Sequence, residues 1–284
     1  MIPRNLIINA DDFGLDIRVS KGIALCVEKG LINSFSVLPF SDSFHDDLLR
    51  SLIKRYPETK IGSHLSLINT PTLSPGSYEY PSLREHPNHY RDFLKLYFLG
   101  RYPAARIYKE WKAQIQFLGK YLGGPERLAH LDSHQHIHVL PGIWPVAVAL
   151  QKEFGIPRLR VPYESLSGSI FYKFPFGFAL QALALFRSTN SRALTQTGDR
   201  RRLLGFFTST QFTVAANRKR LGNVIYHPEQ EFELMVHPAL PADSEFSNTL
   251  DPEFWVVQPK QAEEVKELEI LQELFLSHSK NLMR

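Results

Sequence analysis

Short apolar runs rich in β-branched residues alternate along the chain with longer stretches of helical period. Leu6-Ile7-Ile8, bracketed by polar residues, predicts a buried strand. Val19, Ile23, Cys26 and Val27 then recur at three- and four-residue spacing, and Gly30 stands where a helix would end. A second strand is expected over 34–38, a second helix over 48–56 and a third strand over 61–67. Ile107, Trp111, Ile115, Leu118 and Leu122 draw a long helical stripe, stopped by Gly123-Gly124-Pro125. A fourth strand follows over 128–132, and then a helix marked by Ile143, Val146, Ala147 and Leu150 and closed by Gly155. Further strands are expected at 158–161, 203–206 and 233–236. Val265, Leu268, Leu271 or Gln272, and Phe275 predict a last amphipathic helix.

Strand–helix alternation of this kind builds a parallel sheet covered by helices. About seven mainly parallel strands without a clean linker predict an α/β fold: one domain over residues 1–284, a closed or nearly closed (β/α) barrel. Two stretches break the rhythm and read as insertions, at about 70–100 and 164–202. The first begins rich in Pro, Tyr, Ser and His; the second pairs an apolar, helix-like stretch with a basic one. No internal repeat is visible.

Composition narrows the class. Apolar residues make up 43% and charged residues 22% of 284, which excludes global disorder and a coiled coil. The single cysteine, Cys26, excludes an intramolecular disulfide framework and a Cys-rich zinc site. The apolar run 174–186 is interrupted and too short to span a bilayer, and Asp11-Asp12 falls where a signal peptide would still be apolar. A cytoplasmic protein is expected. Net charge is +4, yet residues 158–220 hold eleven basic side chains against Glu164 and Asp199. Such a sector attracts anions such as lipid head groups or phosphosugars, or is simply a solvated basic face.

Chemistry is written in four places. His130-Leu131-Asp132-Ser133-His134-Gln135-His136-Ile137-His138 packs four of eleven histidines and a carboxylate into nine residues. If extended, its even positions share one face, and imidazole plus carboxylate suits a divalent metal. The same residues would also serve as a solvated loop or as hydrogen-bonded core histidines. Asn9-Ala10-Asp11-Asp12-Phe13-Gly14 follows the first strand, where α/β active sites lie; it would also serve as an acidic turn. His64 in Gly62-Ser63-His64-Leu65-Ser66-Leu67 and His237 in Glu233-Leu234-Met235-Val236-His237-Pro238 each sit in or close an apolar strand pattern. Tyr78, Tyr80, Tyr90, Phe93 and Tyr97 either form part of a cleft or bury a long loop.

Taken in order, Asn-Ala-Asp-Asp-Phe-Gly, Gly-x-His-Leu-x-Leu, His-Leu-Asp-Ser-His-x-His-x-His and Met-x-His-Pro resemble the YdjC/ChbG family of carbohydrate deacetylases, which includes hopanoid-biosynthesis-associated members; the motifs span residues 9 to 238. The resemblance implies a distorted (β/α) barrel, one divalent metal ion and hydrolysis of an N-acetyl group on an amino sugar, oligosaccharide or glycolipid. It maps the metal ligands onto Asp12, His64 and His134, the general base onto Asp11 and a histidine acid onto His237. Mg or Zn is the expected ion, with Mn, Co and Fe also compatible with Asp plus two His. His130, Asp132, His136 and His138 are expected beside the ligands or the substrate. Ala239 departs from the pattern, in which Gly is frequent at that position, and 164–202 matches no motif. An N-acetylated sugar is the expected partner. Nucleic acid is not expected. A weak membrane-surface or lipid-linked contact through 171–187 and 192–202, and a homodimer, stay open. The rivals are a metal-dependent phosphoesterase or amidohydrolase, an iron(II) oxygenase built on His130 and Asp132, and a catalytically silent sugar- or metal-binding protein.

Overall fold

The computed structural model describes residues 2–40, 43–74, 86–164, 183, 197–199, 201–206, 212–241 and 259–282. Among them are six strands, all parallel: β1 Leu6–Phe13, β2 Ser34–Val37, β3 Lys60–Leu65, β4 His130–Ser133, β5 Arg202–Leu204 and β6 Phe232–Val236. In space they run β4-β3-β2-β1-β6-β5 and curl into a half-barrel. The helices are α1 Ile17–Glu28, α2 Ser43–Arg55, α3 Tyr90–Phe98, α4 Ala104–Leu122, α5 Trp144–Glu153, α6 Val214–Tyr226 and α7 Pro259–Leu282.

One expected strand is missing from the ladder. Residues 158–161 meet β4 through a single parallel bridge, Leu131 with Leu159. Leu131 N–H donates to the Arg158 carbonyl at 2.8 Å, and Arg160 N–H to the Leu131 carbonyl at 2.9 Å. Pro157 and Pro162 flank the segment and bring no N–H, which keeps the pairing to one rung. Its far end reaches the other sheet edge, where Leu203 N–H donates to the Tyr163 carbonyl.

Side-chain alternation sorts the sheet into two faces. The outer positions, among them Leu6, Ile8, Ala10, Phe35, Val37, Ile61, Leu131 and Leu234, are buried in the apolar core. The inner positions are polar and equally buried: Asn9 and Asp11, Ser34 and Ser36, His64, His130 and Asp132, Arg158 and Arg160, Glu233.

The helices follow their sequence signals. Asp16 caps α1 by accepting from Arg18 N–H at 2.7 Å. Gly30, at φ 64°, ends it with the Leu31 N–H to Cys26 carbonyl bond of a Schellman turn. The buried face of α4 carries the expected Ile107, Trp111, Ile115 and Leu118, and with them Glu110 and Gln114. Those two polar residues clamp the loop leaving β3. Gln114 accepts from Ser66 N–H at 2.9 Å and donates to the Ser66 carbonyl at 2.8 Å. Glu110 accepts from Leu73 and Ser74 N–H at 3.0 and 2.9 Å.

α3 and α6 were not among the expected helices. α3 falls inside the 70–100 insertion, and its Phe93 is fully buried against Tyr97 and Tyr102, with ring centroids at 6.0 and 5.2 Å. These aromatics bury the insertion against the scaffold; Tyr78 and Tyr80 lie outside the described residues. So do most of 164–202, with the basic stretch and the apolar helix expected there. In the last helix Val265, Leu268, Leu271 and Phe275 are all buried. No helix among the described residues is long and apolar enough to cross a membrane.

Candidate active site

The C-terminal ends of β1, β3, β4 and β6 bring the four sequence motifs to one place. Adjacent residues of a strand normally point to opposite faces, yet Asp11 and Asp12 both serve this site. The register of β1 against β2 shifts between Ala10 and Phe13, and Asp12 adopts a left-handed φ of 74°. Asp tolerates that region better than most residues. The irregularity re-aims one carboxylate without moving its neighbour.

Asp12 Oδ1 stands 2.7 Å from His134 Nδ1 and 3.1 Å from His64 Nε2. All three residues are buried, and each offers a ligand atom within 4.8 Å of the others'. This donor set, one carboxylate and two imidazoles, suits a divalent cation. Burial alone would raise the Asp12 pKa, but His134 and then His64 hold the carboxyl well below its ordinary value. The other nitrogen of His64 is already committed, with Nδ1 2.8 Å from Asp132 Oδ1. A carboxylate behind a ligand imidazole fixes ring orientation. Burial opposes the charged form of His64, yet Asp132 and Asp11, with hydrogen bonds to Asp12 and Asp132, raise its pKa to about 10.

Behind this trio lies a buried network. Arg160, with no solvent exposure, donates to Asp11 Oδ2 at 2.7 Å and Oδ1 at 2.9 Å and to Glu233 Oε1 at 2.7 Å, and forms an ion pair with Asp132 Oδ2 at 2.9 Å. Glu233 is shared with Arg158, which also meets Asp199. Asn9 donates to Asp11 Oδ1 at 2.6 Å and to Ser36 Oγ at 2.9 Å. Ser36 donates its one proton to Asp132 Oδ2 at 2.7 Å, so His130 Nε2, 2.9 Å from the same hydroxyl, is the donor there. Sequence reading left Arg160 among the basic residues of a cationic sector.

The His-rich stretch departs from the extended form expected of it. β4 ends at Ser133, and 3₁₀ turns follow over His134–Val139, interrupted by left-handed Gln135 and His136 at φ 51° and 55°. The even positions therefore do not share a face. His134 joins the trio and His130 and Asp132 stay beneath it. His138 turns away to hold backbone: its Nε2 donates to the Arg160 carbonyl at 2.9 Å and its Nδ1 accepts from Ser133 Oγ at 2.5 Å. Burial lowers the His138 pKa to about 4, so the ring stays neutral. His136 packs against Phe206, centroids 5.1 Å apart.

His237 follows β6, with Nε2 4.0 Å from Asp12 Oδ2. Its Nδ1 has no hydrogen-bond partner among the described residues. Burial lowers its pKa. Its N–H donates to Glu264 Oε2 at 2.6 Å. Glu264, fully buried on α7, also accepts from Phe212 N–H at 3.2 Å. The loop bearing His237 is pressed on α1: a Cβ at Gly22 would lie 2.6 Å from Ala239 Cα. Ala239 thus meets a glycine on the facing helix.

The family model for YdjC-like protein matches residues 5–277. Carbohydrate deacetylases of Vibrio parahaemolyticus and Brevibacillus brevis are 33% identical over 152 residues and 32% over 158. Those matches cover 54% and 56% of this chain, but 57% and 59% of the relatives, less than two thirds of their length. A chitooligosaccharide deacetylase of Proteus mirabilis is 26% identical over 237 residues, covering 82% of this chain and 81% of its own. Among solved structures, a candidate cellobiose-phosphate cleavage protein of Enterococcus faecalis superposes with a TM-score of 0.58 at 25% identity, over 93% of this chain and 92% of that one. With its motifs at four strand ends and a match over nearly its whole length, the chain belongs to the YdjC-like protein family.

Proposed function

We propose that this protein is a metal-dependent hydrolase that removes an N-acetyl group from an amino sugar, free, in an oligosaccharide or on a glycolipid. The observation that carries the reading is the convergence of Asp12, His64 and His134 within 4.8 Å, beside a carboxylate, Asp11, held by a buried guanidinium. The deacetylase names of the relatives support the substrate class.

Asp12, His64 and His134 would hold the ion, Mg or Zn. When bound, it supplies Lewis-acid polarisation of the acetamide carbonyl and acidifies a water. Asp132 keeps His64 aimed at the ion site through the 2.8 Å contact to Nδ1. Asp11 is the general base. Its Oδ1 already accepts from Asn9 and Arg160, while Oδ2 accepts from Arg160 alone. A carboxylate oxygen accepts about two bonds, so Oδ2 receives the water proton. His237 stands across Asp12, and burial favours its neutral ring. It takes up the proton that Asp11 received from the water and passes it to the departing nitrogen. The C–N bond breaks, the amine leaves neutral, and Asp11 and His237 return to their starting forms.

Acetate release from N-acetylglucosamine oligomers and lipid-linked amino sugars tests this, with a chelator arm, metal add-back and a phosphate ester as control. Acetate that disappears on chelation and returns with metal is expected. No acetate from any N-acetyl sugar in a metal-loaded sample overturns the reading.

A further inference from the structure

We propose that the opposite mouth of the half-barrel, at the N-terminal strand ends, is a second binding site, for a small phosphate-type anion. A cavity of about 280 Å³ opens there, lined by Ser34, Lys60, His130, Arg158, Gly198 and Arg201 among others, with no Asp or Glu among the described residues of its wall. Lys60 opens β3 and His64 lies four residues further along it. At about 3.3 Å per residue, the cavity and the trio are separated by roughly the depth of the sheet.

Three cationic side chains line this space, and their compensation differs. Arg158 is buried and shares Glu233 and Asp199. Lys60 and Arg201 have no ion-pair partner among the described residues. Lys60 feels the imbalance: burial first, then Arg201 and Arg158, lower its pKa against a smaller pull from Glu231. Cations facing one cavity without a counter-charge are the electrostatic complement of an anion. Lys and Arg are the side chains that bind phosphate, as a point charge and as a fork. The volume admits phosphate with part of its hydration shell, or a phosphate carried on a small metabolite. The rim is built tightly. Gly198, at φ 63°, lies where a Cβ would come within 2.3 Å of the Pro157 carbonyl oxygen. Two of these cations, Arg158 and Arg201, come from the basic 158–220 sector, in which the hydrolase reading gives a role to Arg160.

The test is calorimetric titration of the metal-loaded protein with inorganic phosphate, against chloride at matched ionic strength and pH, beside the Lys60→Gln/Arg201→Gln double variant. A second arm titrates a hexose 6-phosphate. Saturable binding near one per chain, weakened tenfold or more in the double variant, is expected. Tighter binding of the hexose phosphate assigns the site to a phosphorylated metabolite, and equal binding assigns it to free phosphate. Unchanged melting of the double variant in chloride shows that its fold is intact. Absence of saturable binding at millimolar phosphate overturns the proposal. So does equal binding by the double variant, because an anion on the Asp12–His64–His134 cation would survive those substitutions. Neither readout depends on acetate release.

Discussion

Arg160 grips Asp11 with both Nη atoms, at 2.7 Å from Oδ2 and 2.9 Å from Oδ1, from a side chain with no solvent exposure. Charges this deep persist only when paired and hydrogen-bonded. The same guanidinium serves Asp132 and Glu233, so one residue joins the strand bearing the proposed base, the strand behind His64 and the strand before His237.

Arg160→Lys is expected to separate positioning from stability. An ammonium cannot reproduce the planar fork. With Asp11 loosened, kcat for acetate release should fall by ~10²–10⁴, the usual worth of a general base, with KM little changed. Arg160→Ala, which leaves buried Asp11 without an ion pair among the described residues and takes one of the cations from Asp132 and Glu233, should destabilise by about 3–5 kcal/mol in urea unfolding. Full kcat in the Lys variant would remove Arg160 from the catalytic account.

Gly62 is fixed by close approach. It shares a rung with His130 and Ser36, and a Cβ there would lie 2.2 Å from His130 Nε2. The bare glycine lets the imidazole cross β3 and reach Ser36. Gly62→Ala should cost about 1–3 kcal/mol as an overpacking change. Much of that should return in a Gly62→Ala/His130→Ala double variant, a coupling readable from a double-mutant cycle. Additive effects would show that the contact does not set the cost.

Much of this architecture is legible from residue order. The rule that α/β sites gather at C-terminal strand ends puts Asp12 and His134 in one cluster although 122 positions separate them. Arg160 escapes notice because nothing local distinguishes it from ten other cations in its segment. Its partners come from β1, β4 and β6, and pairing across a sheet leaves no mark on neighbours in sequence. The usable trace was alternation: Ser34-x-Ser36, His130-x-Asp132 and Arg158-x-Arg160 repeat a polar position every second residue inside apolar strands, as a polar concave face requires. The turn after Ser133 is opaque for another reason. Left-handed Gln135 and His136 are non-glycine residues held by their surroundings. α6 is obscured by Arg218, Lys219 and Arg220, although Thr213 caps it by accepting from Ala216 N–H.

Glu264 gives stability a pH dependence of definite sign. Burial raises its pKa from 4.5 to about 8, against the pull of the His237 and Phe212 N–H groups. Between those values the unfolded chain has released a proton that the folded chain keeps. The contribution is therefore full below pH 4.5 and is lost as pH rises through about 8. Glu264→Gln removes the titration, so the wild-type melting temperature minus that of the variant should fall steadily over this window. A flat difference would show that Glu264 does not titrate there.

Asp11 and Asp12 are neighbours with separable duties, and paired Asn substitutions distinguish them. Asp12 places an oxygen within 4.8 Å of nitrogens of both His64 and His134, whereas both oxygens of Asp11 are held by Arg160. Asp12→Asn should weaken cation binding, read as a smaller rise in melting temperature when Mg or Zn is added to chelator-treated protein, because a cation stabilises only the folded chain it binds. Asp11→Asn should keep the cation-induced rise and lose ~10²–10⁴ in kcat. Chelation of the wild type should abolish acetate release, since the carbonyl then lacks its Lewis acid and the water its acidity. If Asp11→Asn hydrolyses normally when metal-loaded, the base is another group; if Asp12→Asn binds the cation undiminished, the ligand set is wrong.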